Sequence, residues 1–522
     1  MRQPTPFDRR AFLRRGLQLG AVASGAVILE SCNTSAPTTT TTTLRPPTLS
    51  DWGRLRDTLT GILVLPSSAT YGADRLLYNS KFVDLHPQAI AYCANAVDVS
   101  RCVDFVSSHV LPVAARSGGH SYAGYSSCDG LVVDISHLSS IAVDTYANTA
   151  RVGAGTTLID LYNAVGSRDR LLPGGSCPTV GIAGLTLGGG VGVFGRKYGL
   201  TCDNLLAVDI VTVDGQLVTA SAEHHADLFW ACQGGGGGNF GVATSFDFSV
   251  HAMPEVTLFT LQYPWSAAAT MLEAWQHWVL SAPDELWSNC QLLSQGSYGF
   301  LAQMSGVFCG SSSELSSLLA TLQTAIGSKA SYSFVGSRDY VDAMKIEAGC
   351  SGLSVAACHL PSQNPDGHLS HSAYSAKSSY VDGPMTTHQA TLMVDAIENL
   401  YAHAPTLGGA LAFDAYGGAI NRVASATTAF VHRDTLACIQ ATFSWSSTTP
   451  ASEIMAGQTW LTWLGTNVFD PRTSAYQNYI DPTLTNWKSA YYGGNLERLV
   501  DVKKRYDPEN RFSFAQSIPV AL

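Results

Sequence analysis

Hydrophobic and polar positions change their rhythm twice along this chain. Over residues 51–255, helical stretches such as 89–110 alternate with short β-rich runs bounded by glycine, at 111–115, 131–135, 141–144, 207–213 and 243–250. Over residues 256–476 the texture becomes one of longer amphipathic helices, predicted at 267–280, 314–326 and 385–401, interleaved with strands at 410–415 and 435–445. That pattern predicts an α+β arrangement in which a sheet is backed by helices. The remaining segment, 477–522, carries a helix at 496–506 followed by the turn Asp507-Pro508-Glu509-Asn510, and nothing in its periodicity says where it docks. With 522 residues the chain exceeds what one core usually organises, so two packed domains, or one domain with a large insertion, are expected.

The first residues belong to neither texture. Arg9-Arg10-Ala11-Phe12-Leu13-Arg14 precedes an apolar run at 17–29, which is short of the ~20 residues a spanning helix needs. An export signal of the twin-arginine type over 1–32 is the expectation, with an amphipathic first helix as the alternative. Leu29-Glu30-Ser31-Cys32 resembles a lipoprotein cleavage box with an unusual Glu30, which leaves a lipid anchor at Cys32 open. The Thr- and Pro-rich stretch 33–50 cannot bury a core and reads as a spacer. An extracytoplasmic protein, secreted or held at the cell surface, is implied.

Composition narrows the partners. The formal net charge of −10 disfavours nucleic acid. Twelve cysteines include no pair at zinc spacing, so no metal is expected. Export permits disulfides; Cys350 and Cys358 flank a short loop and form the best-placed pair, although sequence does not fix connectivity. The 48 glycines concentrate in a few runs, where backbone approaches something closely or takes positive φ.

Three of those runs carry candidate chemistry. The first, Arg116-Ser117-Gly118-Gly119-His120-Ser121-Tyr122, follows a predicted strand; its backbone N–H groups suit a phosphate and Arg116 adds charge. The second runs from Gly174-Gly175-Ser176-Cys177-Pro178-Thr179-Val180-Gly181 through Gly184 to Gly188-Gly189-Gly190-Val191-Gly192, an extended backbone suited to lie along a cofactor. Within it Gly190-x-Gly192-x-x-Gly195 formally matches a dinucleotide fingerprint. No buried strand precedes it, however, and Gly199 interrupts any following helix, so that reading is rejected. The third is Gly234 to Gly238 followed by Asn239-Phe240-Gly241-Val242; five glycines between buried aromatics lose too much chain entropy to be idle, and a flexible linker is the bland alternative. Taken singly, His120 is more often a structural hydrogen-bonder and Cys177 an inert buried thiol.

In this order, and with Tyr491-Tyr492-Gly493-Gly494-Asn495 to Gln516-Ser517-Ile518-Pro519, the runs resemble the berberine-bridge-enzyme-like family, a branch of the FAD-linked oxidases with the vanillyl-alcohol-oxidase fold. The resemblance spans about residues 78–519. It implies a PCMH-type FAD-binding domain of two α/β subdomains, built from 51–255 and completed by 477–522. It also implies a substrate domain, 256–476, with an antiparallel sheet backed by helices. FAD is the implied cofactor, bonded through its 8α-methyl to His120 and through C6 to Cys177. Arg116, Ser117, Gly118, Gly119, Ser121, Gly174, Gly175, Ser176, Thr179, Val180, Gly181, Gly184, Gly189, Gly192, Val242 and Asn495 are the implied cofactor contacts. Gln233 departs from the Arg that usually precedes the third run, which puts one polar contact in doubt.

Removing hydride from an alcohol also requires a base for the hydroxyl proton. Asn478-Tyr479-Ile480-Asp481 resembles the family's Asn-Tyr-x-Asp motif, and Phe413-Asp414-Ala415-Tyr416-Gly417-Gly418 resembles the strand supplying its partner. The resemblance therefore implies that Tyr479 takes the substrate proton and passes its own to Asp414, since a free Tyr with pKa near ~10 is no anion at rest. It also implies that Gln440 faces the flavin and Tyr122 lines the site. Cys438 stands where plant alcohol-oxidising members have Lys, and Tyr374 and Lys377 are further substrate-domain candidates. Val180 matches a position at which valine accompanies oxidases, so dioxygen is the expected electron acceptor. The leading function is oxidation of an alcohol or hemiacetal carbon of a carbohydrate, oligosaccharide or glycosylated natural product, giving hydrogen peroxide. The alternatives are a dehydrogenase or oxidative cyclase of an alkaloid- or polyketide-like substrate, and a flavin-carrying binding or electron-transfer module without turnover.

Overall fold

Thr48 and Asp51 close a capping box, each accepting a backbone N–H from the other, and helix Leu49–Thr58 starts there. The structure, a computed structural model, describes residues 44–469 and 473–522. The expected export signal, Cys32 and most of the threonine-rich spacer lie outside the described residues. The spacer was expected to reach residue 50, and the capped helix ends it earlier.

A four-stranded sheet follows, from β1 (Ile62–Val64), β2 (Ala89–Tyr92), β3 (Val113–Arg116) and β4 (Leu131–Asp134), in the order β1-β2-β4-β3. β4 pairs in parallel with both β2 and β3. The helix expected over 89–110 is corrected here. Ala89–Tyr92 is buried and forms a strand, and the helix begins only at Ala96, where Asn95 accepts the backbone N–H of Asp98.

The chain continues with β5 (Ile141–Asp144), β6 (Thr149–Gly153), β7 (Arg170–Leu171), β8 (Leu205–Val211), β9 (Leu217–Ser221), β10 (Val242–Ser249) and β11 (His251–Ala252). Five of these form an antiparallel sheet in the order β5-β6-β10-β8-β9, and β7 pairs with β11. Then β12 (Val256–Tyr263), β13 (Leu286–Gln295), β14 (Phe300–Phe308), β15 (Tyr332–Arg338), β16 (Ala373–Val381), β17 (Gly408–Ala415) and β18 (Ala437–Trp445) make one antiparallel sheet, order β15-β12-β14-β13-β17-β18-β16.

Alternation along these last strands separates two chemistries. Cys290 and Leu292 of β13, Leu411, Phe413 and Ala415 of β17, and Ile439, Ala441 and Phe443 of β18 point into one apolar cluster. Helices Ala268–Ser281, Thr387–His403 and Ala451–Asn467 contribute Trp275, Ile397 and Trp460 to that cluster. The residues in between, Asn289, Gln291, Ala412, Asp414, Gln440 and Thr442, line a cavity on the opposite face.

The C-terminal helix Leu496–Tyr506 and the residues after it join the core of the first two sheets through Leu499, Val502, Phe512 and Ile518. Lys503 fastens this tail. It is 0% exposed, and its ammonium donates to Asp507 Oδ2 at 2.6 Å, to Asn239 O at 2.7 Å and to Phe512 O at 2.6 Å. Lys503→Met strands Asp507 as an uncompensated buried charge, so urea unfolding is expected to show a loss of about 3–5 kcal/mol. A midpoint unchanged from wild type would show the bond network to be idle.

Cys350 and Cys358 come together as expected: both are free thiols in the structure, packed with Ile159, and the Cys358 thiol donates to the Cys350 carbonyl at 3.9 Å.

Candidate active site

The three glycine-rich runs converge on one cavity of about 620 Å³, closed on its far side by the polar face of the seven-stranded sheet. Glycine is needed where the first two runs touch. A Cβ on Gly118 would collide with the backbone of Gly181, and one on Gly181 with Gly118 and Ser117. The third run is a packed wall, not a linker. Gly234 N–H and Gly236 N–H donate to Leu187 O at 3.1 and 2.8 Å, and Asn239 Nδ2 donates to Gly235 O and Gly236 O. Positive φ at Gly234, Gly236 and Gly238 makes the turns that leave Gly237 and Gly238 against the cavity.

His120 and Cys177 both open into this space. The His120 ring stacks on Tyr78 with centroids 4.0 Å apart, and its Nε2 hydrogen-bonds Thr179 Oγ1 at 2.8 Å. Burial lowers its pKa to about 3, so it is a neutral imidazole. The Cys177 thiol is exposed to the cavity while protein encloses that cavity, and the enclosure pushes its pKa up.

Opposite them stands an aromatic and carboxyl group. Tyr479 stacks on Tyr122 at 5.1 Å and 18°, and Tyr374 meets Tyr122 edge-on at 5.1 Å. Gln440 Nε2 donates to the Tyr122 hydroxyl at 2.7 Å. Asp414 faces Asn289 directly across the β13/β17 ladder and accepts from its Nδ2. Burial raises the Asp414 pKa to about 6 and drives that of Tyr479 well above its usual value, so Tyr479 is a neutral phenol. Among the described residues no hydrogen bond joins Tyr479 to Asp414. The hand-off expected from sequence therefore needs a bridging oxygen. Asn478 holds the motif in place by donating to Leu185 O at 3.0 Å, behind the second glycine run.

Several expected contacts lie elsewhere. Arg116 is buried and turned from the cavity, because Asp134 stands beside it in the parallel ladder and takes its Nε. Asn495 spends its amide on Ser425 O, Thr428 O and Ala429 O, pinning a loop. Lys377 is paired with Asp481 at 2.8 Å and bonded to Thr483, so it is no substrate contact. Gly174 backs onto Tyr162, Gly189 backs onto Phe430, and Thr179 acts through His120 without lining the cavity. Ser117, Gly118, Gly119, Ser121, Tyr122, Gly175, Ser176, Val180, Gly181, Gly184, Gly192 and Val242 do line it.

Sequence reasoning missed Asn289, Trp287 and Glu347, all of which line the cavity. For Asn289 and Trp287 the signal was weak, because polar and apolar residues do not alternate cleanly along 286–295. For Glu347 there was none, because helix Tyr340–Glu347 reaches the cavity only through tertiary packing.

The cavity fits a flavin. Two nucleophilic side chains open into it, its glycine walls admit backbone to within contact, and its volume falls in the range of cofactor sites, roughly 300–1,000 Å³. The comparisons agree. Residues 87–221 match the model of the FAD binding domain, and residues 475–519 match that of berberine and berberine-like proteins. Fold and cavity together define an FAD-dependent oxidoreductase. The chain is 32% identical to the uncharacterized FAD-linked oxidoreductase YgaK of Bacillus subtilis, over 88% of this chain and 97% of that protein. It is 28% identical to the glucooligosaccharide oxidase of Sarocladium strictum, over 84% and 89% of the two chains. The solved structure of Physcomitrella patens BBE-like 1 superposes with a TM-score of 0.81 at 30% identity, covering 90% of this chain and 99% of that one. This chain belongs to the berberine-bridge-enzyme-like family of FAD-linked oxidoreductases.

Proposed function

We propose that this protein oxidises an alcohol or hemiacetal carbon of a saccharide or glycosylated natural product, with FAD bonded through the 8α-methyl to His120 and through C6 to Cys177. The observation that carries this reading is the opposition, across one cavity, of two nucleophiles on glycine-rich loops and a proton-accepting group on the sheet. Relatedness to a glucooligosaccharide oxidase supports the saccharide class. When bound, the flavin supplies the hydride acceptor and hands the electrons to dioxygen, giving hydrogen peroxide.

The protein's own task is the proton. Asp414, ionised above about pH 6, is the acceptor; Tyr479 positions the reacting hydroxyl and relays its proton when a substrate or water oxygen bridges the two. Gln440 fixes the Tyr122 hydroxyl, and Tyr122 supports the ring of Tyr479 by stacking. Cys438 is buried and Lys377 is committed to Asp481, so neither position offers a free lysine for deprotonation.

Flavin bleaching by a panel of sugars and aromatic alcohols tests the substrate class. Sugars are expected to reduce the flavin; reduction by the aromatic alcohols alone would overturn the assignment. Val180 lines the cavity, and stopped-flow mixing of the reduced protein with air-saturated buffer is expected to show rapid reoxidation that Val180→Leu slows. Sluggish reoxidation of the wild type would refute dioxygen as acceptor.

A further inference from the structure

The wall around Asp414 has hydrogen-bonding capacity that the protein does not satisfy. Asn289 is 5% exposed; its Nδ2 is used by Asp414, and its Oδ1 is an acceptor without a donor. Glu347 lines the same space, and none of the described hydrogen bonds or ion pairs engages its carboxyl. Two positions from Asn289 on β13, the Trp287 indole N–H is a donor without an acceptor. A buried acceptor left unmade costs roughly 1–3 kcal/mol, so a ligand is the natural source of the missing donors.

The charge of this wall is one-sided. Among the described residues lining the cavity there is no Lys and no Arg, whereas Asp414 and Glu347 are both carboxyls. Glu347 also closes the last turn of helix Tyr340–Glu347, where the helix dipole opposes a negative charge. Burial and the nearby Asp414 carboxylate push its pKa up to about 7. Nothing in its own surroundings stabilises the ionised form. A cation brought by the substrate would.

We propose that Glu347 is a specificity-determining residue that binds a protonated amine of the substrate, so that the preferred saccharide is an amino sugar with a free ammonium group. The ammonium supplies three donors, enough for Glu347 and Asn289 Oδ1, and the sugar's oxygens supply the acceptor for Trp287. The same wall repels uronates and other anionic sugars. This inference rests on the saccharide reading above only for the identity of the group that carries the amine.

Two measurements on the flavin-loaded protein separate the two ideas. In steady-state oxidation at pH 7.5, glucosamine oligomers are expected to exceed their N-acetylated counterparts about tenfold in kcat/KM, as a charge-assisted bond implies. Glu347→Gln is expected to bring that ratio near one, while Glu347→Asp retains part of it. Independently, benzylamine and benzyl alcohol are titrated onto the oxidised protein and followed by the flavin absorption shift. The amine is expected to bind about tenfold more tightly, with the difference lost in Glu347→Gln. Equal binding of amine and alcohol to the wild type, or an amine preference that survives Glu347→Gln, overturns the role of Glu347. Should no sugar reduce the flavin while the amine preference depends on Glu347, the saccharide reading fails and the cation site stands. If Glu347→Gln does not load flavin, the wild-type and Glu347→Asp titrations decide.

Discussion

Acid denaturation of the His120→Ala/Cys177→Ala double variant is expected to release all of its flavin, whereas either single variant keeps it attached. Each side chain approaches the cavity from a different glycine-rich run, so loss of one bond leaves the other in place. The proposed attachment draws on His120 as a neutral imidazole: burial holds it neutral, and Thr179 Oγ1 fixes its ring through Nε2. Cys177 starts as a protonated thiol because its enclosure disfavours the thiolate, so the proposed bond requires the loss of that proton. Absorbance of the unfolded protein together with intact mass checks the result. A single variant that sheds its flavin, or a double variant that keeps it, would refute the two-bond assignment.

The second large effect is on turnover. Asp414→Asn is expected to lower kcat/KM by roughly 10²–10⁴-fold, the usual worth of a positioned general base, while the flavin spectrum stays that of wild type. The pH profile carries the sign. The Asp414 pKa is raised to about 6 by burial, against hydrogen bonding from Asn289 that favours the ionised form. The acceptor must be ionised, so wild-type kcat/KM rises as pH increases through about 6 and then levels. In Asp414→Asn that rise disappears. A wild-type profile flat from pH 5 to 8 would remove Asp414 from the reaction. Tyr479→Phe is expected to lower turnover while keeping the rise, since its phenol is neutral throughout this range.

The contrast between Asp414 and Arg116 shows how far sequence alone reaches. Both sit in recognisable motifs that imply a place at the site. Asp414 keeps its expected place because strand alternation turns it to the cavity while Phe413 and Ala415 enter the core. Arg116 does not, because its neighbour in the ladder is Asp134, and strand register is invisible until the sheet is formed. The seven-stranded sheet was legible only in β17 and β18. β13 is buried on both sides over most of its length, which blurs the polar and apolar alternation that marks a half-buried strand. Glu347 and the lysine pair of Asp481 are products of packing between segments far apart in sequence, and local pattern carries no trace of them.

Lys503 has a consequence for the order of assembly. The wall formed by Gly234–Gly238 takes its shape from Asn239, and Asn239 is held by Lys503 and by the backbone N–H of Ile518 at 2.8 Å. Those two anchors are translated more than 250 residues after the loop they secure. A ribosome that has made every residue of the cavity's glycine walls has therefore not yet made a cofactor site. Flavin capture belongs to the finished chain, and a protease that clips the tail ahead of Lys503 would remove the anchors of the glycine wall together with Phe512, Ser513 and Phe514, which line the cavity.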